Sequence, residues 1–218
     1  MHRRVLASVI AVVLLGGGAG SAAAQSAPVP EARLGAWVAG TVAAGSVLGA
    51  LPGGRLTLAG LRYTRRLIPR ARQGPAPFDA PNLTYTADLI PVAHLYLPAE
   101  AVPDLFYLEG DSQSTPLSTY GVGAYPLGLQ ITFHFREGVR PFVAGHTGGL
   151  YFSEPVPDAL GRHFNFAAGV GAGVEVSLPR RTSVTLGYRY HHLSNGFRGS
   201  INPGLDANLL YLSVDAAL

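Results

Sequence analysis

Residues 164–176 read Phe164-Asn165-Phe166-Ala167-Ala168-Gly169-Val170-Gly171-Ala172-Gly173-Val174-Glu175-Val176. Every even position is apolar, and every odd position is small or polar. Side chains of an extended chain point alternately to its two faces, so a period of two marks a strand with one apolar face. The other face is small enough for the crowded interior of a narrow barrel.

The same alternation recurs outward from this stretch. Leu127, Leu129, Ile131, Phe133 and Phe135 alternate with Gly128, Gln130, Thr132 and His134. Val184, Leu186, Tyr188 and Tyr190 alternate with Thr185, Gly187 and Arg189, and Leu210, Leu212 and Val214 alternate with Tyr211 and Ser213. Eight such segments are expected, near 33–46, 54–66, 82–96, 119–135, 140–153, 163–177, 183–194 and 207–218. The first, second and fifth are the least regular.

The chain opens with a positive Met1–Arg4 segment, an apolar run from Val5 to Gly20 and the small-residue site Ala22-Ala23-Ala24. This pattern predicts a secretory signal peptide over 1–24 and a mature single domain over 25–218. The mature chain then has 218 − 24 = 194 residues. No later stretch holds ~18 unbroken apolar residues, so a membrane-spanning helix is not expected. There is no Cys, which excludes thiol enzymes and Cys-ligated metal sites. Only 13% of residues are charged, against a usual ~25%. Removing Arg3 and Arg4 lowers the net charge from +3 to +1, and no basic run with interleaved aromatics suggests nucleic acid as a partner.

An exported, cysteine-free, hydrophobic chain of alternating strands predicts an all-β, eight-stranded antiparallel transmembrane barrel of the bacterial outer membrane. A lipocalin-like soluble barrel would carry its apolar face inside. Here the apolar face is broad and the opposite face small or polar, which favours lipid outside. Trp37, Tyr63, Tyr96, Tyr120 and Tyr151 lie near segment ends and are expected in interfacial girdles. Eight strands put both termini on the periplasmic side and the connections near 97–118, 154–162 and 195–206 on the outer side. The cluster Arg62, Arg65, Arg66, Arg70 and Arg72 is then expected in a solvated turn at the periplasmic end.

The chemistry concentrates in the last hairpin. His192 and Ser194 are two residues apart on one strand, so they share a face, with Cα atoms ~6.6 Å apart. That suits a base and the nucleophile it activates. If the last two strands pair so that residue numbers sum to about 398–400, Asp206 stands opposite His192 or one step diagonal. It would then orient the imidazole, the third role of a triad. His192, Ser194 and Asp206 all share the parity of the apolar row, so they are expected on the lipid-facing surface at the outer edge of the bilayer. Polar groups there call for a functional reason. His191 beside His192 invites a metal site, but adjacent strand residues face opposite ways, and no metal site is expected. His94, His134, His146 and His163 are scattered and read as structural. No GxSxG, HExxH or P-loop occurs.

The hairpin Gly187-Tyr188-Arg189-Tyr190-His191-His192-Leu193-Ser194-Asn195, followed by Asn202-Pro203-Gly204-Leu205-Asp206, resembles the lipid A 3-O-deacylase (PagL-type) family, also called bacterial acyloxyacyl hydrolases. Tyr120-Gly121-Val122-Gly123, Pro141-Phe142-Val143-Ala144, Gly148-Gly149-Leu150-Tyr151-Phe152 and Phe164-Asn165-Phe166 are similar to it too. The resemblance implies an outer-membrane esterase that removes the 3-hydroxyacyl chain at the 3-position of lipid A. His192 would be its base and Ser194 its nucleophile. Asp206 falls where the family carries a glutamate, and Asn195 and Asn202 would shape or supply an oxyanion hole. The implied partners are lipopolysaccharide and outer-membrane lipid, with no cofactor, and the sequence leaves a homodimer open. The competing reading is a non-catalytic structural or adhesin-type small barrel.

Overall fold

The computed structural model describes residues 32–45, 47–51, 53–67, 81–99, 101–102 and 115–218. The expected signal segment 1–24, with Arg70 and Arg72, lies outside the described residues.

The eight strands are β1 (Ala32–Gly45), β2 (Arg55–Arg66), β3 (Asn82–Leu97), β4 (Leu117–Thr132), β5 (Val139–Val156), β6 (Arg162–Leu178), β7 (Thr182–Ser194) and β8 (Leu205–Ala217). Each pairs antiparallel with its neighbour in sequence, and β1 closes onto β8. Closure leaves no edge, so each strand's backbone polar groups find partners within the sheet, which a lipid surround requires. The expected all-β eight-stranded barrel is therefore present. Phe133 and Phe135 fall beyond the end of β4, so that segment is shorter than its alternation suggested.

We call the end where β1 starts and β8 ends the lower end, and the opposite end the upper. The outward face carries an exposed apolar residue on every strand: Val38, Leu61, Leu89, Leu129, Val143, Val170, Leu186 and Leu210 all lie 39% exposed or more, one on each of the eight strands. Exposed apolar area on this scale around a whole circumference fits a lipid-facing belt. Two proline bulges keep the row in phase. The β3–β4 register shifts across Pro91, between Ile90 and Ala93, and the β4–β5 register shifts across Pro126, between Ala124 and Leu127. Proline has no N–H to give the ladder, so a bulge is where a strand accommodates it.

The interior is divided. Its upper half is packed with Leu56, Leu58, Leu95, Leu150, Phe152 and Leu205, all 1% exposed or less. Its lower half holds Arg33, Arg140, Glu175, Thr185 and Asp215 around a polar cavity of about 40 Å³. Between them Arg62 makes a two-pronged ion pair with Asp88, Nε–Oδ1 2.7 Å and Nη2–Oδ2 2.8 Å.

Two expectations are corrected here. Trp37 belongs to no interfacial girdle: it is 2% exposed and lies inside the barrel, 5.8 Å from the Arg62 guanidinium and 5.3 Å from that of Arg189. Arg62 is not in a solvated turn, because β2 runs to Arg66 and the even positions of β2 face inward. Tyr120 and Tyr151, 64% and 54% exposed, do face outward at the upper end.

Candidate active site

β7 and β8 pair without a bulge from Thr182↔Ala216 to Leu193↔Leu205, and every pair sums to 398. This regular register sets His192 directly opposite Asp206 at the upper end of the outward face. His192 Nδ1 lies 2.7 Å from Asp206 Oδ1. The His192 side chain is 21% exposed, whereas that of Asp206 is fully buried.

Asp206 is buried although it has lipid-facing parity, because the β1–β2 connection folds over it. The backbone N–H groups of Val47, Leu48 and Gly49 all donate to Asp206 Oδ2, at 2.6, 2.8 and 2.9 Å. Successive N–H groups converging on one oxygen make an anion-holding nest. The connection is tied down beside it: Ala50 N–H donates to the Pro203 carbonyl at 2.7 Å and Leu51 N–H to that of Gly204 at 3.2 Å. Gly204 has φ +68°, and a Cβ there would stand 3.0 Å from His192 Cε1. Only glycine meets both demands.

The consequence for His192 is chemical. A carboxylate only accepts hydrogen bonds, so Nδ1 carries the shared proton, and in the neutral ring it is Nε2 that holds the lone pair.

Ser194 sits two residues further along the same face. Its hydroxyl donates to Asn202 Oδ1 at 3.1 Å and accepts from Asn202 Nδ2 at 2.9 Å and from Gly196 N–H at 3.1 Å. The Asn202 amide is held in turn by Asn195 N–H, which donates to Oδ1 at 3.0 Å. Among the described residues no hydrogen bond joins Ser194 to His192. Asn195 belongs to the same motif, but its side chain turns inward: Nδ2 donates to the Ile201 carbonyl at 2.7 Å, and Oδ1 is buried without a partner.

The structure therefore gathers His192, Asp206, Ser194 and Asn202 on one outward rim and directs the Asn195 amide to the interior. His191 faces the interior as its parity requires, 0% exposed. There its Nε2 lies 3.1 Å from Tyr125 Oη and its Nδ1 lies 3.4 Å from His146 Nε2. His146, expected to be structural, thus takes part in a buried His–His–Tyr contact. The nest of Val47, Leu48 and Gly49 was invisible to sequence reading, since its partner lies more than 150 residues away.

Comparison with known proteins follows the same line. The crystal structure of the outer membrane enzyme PagL superposes with a TM-score of 0.50 at 20% identity, covering 83% of this chain and 97% of that one. That likeness confirms an outer-membrane barrel fold. The crystal structure of Neisserial surface protein A (NspA) superposes with a TM-score of 0.47 at 16% identity, covering 86% and 97%. No curated protein matches the chain. The sequence model described as lipid A 3-O-deacylase (PagL) matches residues 101–215, which include all of β4 to β7, most of β8 and every rim residue named above except the β1–β2 nest. Because that match spans more than half of the chain, the protein belongs to the lipid A 3-O-deacylase (PagL) family.

Proposed function

We propose that this barrel is an outer-membrane esterase of the serine type, which removes the ester-linked 3-hydroxyacyl chain from the 3-position of lipid A in the outer leaflet. The observation that carries the reading is the His192–Asp206 pair, buried on one side and open on the other, on the lipid-facing surface two residues from Ser194.

In the proposed reaction Ser194 turns about its Cα–Cβ bond from Asn202 toward His192. His192 Nε2 takes the hydroxyl proton as Oγ attacks the ester carbonyl. The oxyanion of the tetrahedral intermediate takes up the Asn202 Nδ2 and Gly196 N–H donors that Ser194 Oγ holds in the resting state. The intermediate collapses, the acyl–oxygen bond to the sugar breaks, and the imidazolium returns its proton to the leaving sugar oxygen. Water, deprotonated by His192, then hydrolyses the acyl-serine, and the proton passes back to Oγ as the fatty acid leaves. Asp206 stays ionised throughout, with four donors around it. Asn195 holds the Asn202 amide through its backbone N–H.

The test is mass spectrometry of lipid A from outer membranes carrying the wild type or Ser194→Ala. Loss of one hydroxyacyl chain with the wild type and not with the folded variant supports the reading. Unchanged lipid A with both, although both fold in the membrane, leaves the structural-barrel reading in its place.

A further inference from the structure

We propose that Arg198 is a specificity residue that receives a phosphate group of the glycolipid substrate beside Ser194. The inference rests on the ester-hydrolysis reading above and deepens it by naming what holds the headgroup.

Phe166 of β6 is the cross-strand partner of Ser194. Over its outward ring, 4.9 Å from the centroid, lies the Arg198 guanidinium, which also covers Phe164 at 5.0 Å. The two rings meet edge to face, centroids 5.2 Å apart, and form one shelf under the cation. The charge thus stands one side chain from the proposed nucleophile, at the rim where an apolar belt gives way to polar headgroups.

The loop that carries Arg198 is pinned. Arg162 Nε donates to the Arg198 carbonyl at 2.5 Å, Ser200 N–H donates to that of Leu160 at 2.8 Å, and Arg198 Nε donates to that of Asn195 at 3.3 Å. Its exposed side chain has both terminal nitrogens left over, and no carboxylate pairs with it among the described residues. A planar guanidinium laid on aromatic rings, with an unused pair of donors, matches the oxygens of a phosphate in a way a neutral headgroup cannot. Lipid A is a phosphorylated disaccharide, so its phosphate would dock there while the neighbouring ester meets Ser194.

The test compares lipid A carrying its phosphates with the same lipid after enzymatic dephosphorylation. Wild type, Arg198→Ala and Arg198→Lys are assayed in neutral detergent micelles and phosphate-free buffer, so that the substrate brings the only phosphate. Wild type is expected to prefer the phosphorylated lipid. In Arg198→Ala the ratio of the two kcat/KM values falls by about tenfold or more, chiefly through KM, as the loss of a charge-assisted hydrogen-bonded pair implies. Arg198→Lys keeps the charge without the fork and falls in between; it also keeps the test open should Arg198→Ala fail to fold. A ratio that neither variant moves, or equal losses on both lipids, overturns the inference and leaves the esterase reading standing. A folded wild type that cleaves neither lipid overturns both.

Discussion

The Asp206 carboxylate and the Gly49 amide meet at 2.9 Å although 157 residues separate them in the chain. Through that contact and its two neighbours, the β1–β2 connection decides the state of a carboxylate on β8. Asp206→Asn keeps the size of the side chain but removes the charge that fixes Nδ1–H on His192. Loss of the equivalent charge in a serine triad costs about 10⁴ in kcat, and a fall of that order is expected here with the barrel still folded. Ester hydrolysis by the refolded variant, beside its migration on an unheated gel, measures both. A loss under tenfold would remove Asp206 from the mechanism.

Asp206→Glu asks whether the residue carried by the wider family fits this barrel. The nest closes on Oδ2 at 2.6–2.9 Å, leaving no room for an added methylene. Overpacking typically costs about 1–3 kcal/mol, here paid by displacing the 47–49 backbone or the imidazole. Reduced but measurable hydrolysis with a lowered melting temperature is the expected outcome. Full activity would mean that the β1–β2 connection yields freely.

Gly204→Ala combines positive φ with a clash. The left-handed backbone costs an L-residue about 1–2 kcal/mol, and the new Cβ would press on His192 Cε1 at 3.0 Å. Activity should fall further than stability, because the imidazole moves first. Thermal unfolding in detergent and kcat on one ester, measured on the same preparation, separate the two effects.

Phe197 is the opposite case. It has φ +58° at the exposed tip of the site loop, 86% exposed, so no packing compensates its backbone strain. Phe197→Gly should leave the barrel as stable or raise stability by about 1 kcal/mol. A clear drop in melting temperature would show that the ring is anchored in the lipid surround.

Inside the barrel, Arg62→Met or Asp88→Leu leaves one buried charge alone. Either is expected to destabilise by about 3–5 kcal/mol, whereas the double variant should recover most of the loss. Trp37, the single tryptophan, lies 5.8 Å from Arg62, so its fluorescence during urea unfolding in lipid vesicles reports on the neighbourhood directly. Additive losses in the double variant would contradict the pairing.

The alternation in 164–176 and its repeats determined the strands, their parity, and therefore the face on which His192 and Ser194 stand. These properties are local: side-chain direction follows from the two-residue period, and an unbulged hairpin carries it from β7 to β8. The 398 register lay within reach of the sequence for the same reason. What tertiary structure alone decided is whatever depends on distant strands meeting. Barrel closure enclosed Trp37, whose odd position on β1 faces the lumen, beside the Arg189 guanidinium of β7. It also brought His146 of β5 to His191 of β7 across the lumen, while the register shift between Ala59 and Leu61 set Arg62 opposite Asp88 in the β2–β3 pair. It folded the 47–49 amides over a carboxylate that parity alone would have left facing lipid. Odd parity already sends the Asn195 amide inside with His191 and Leu193, whereas the turn after Ser194 brought Asn202 back to the hydroxyl, a choice set by loop geometry rather than by period. A pattern in sequence fixes which way a side chain points; which group it meets depends on backbone from elsewhere in the fold.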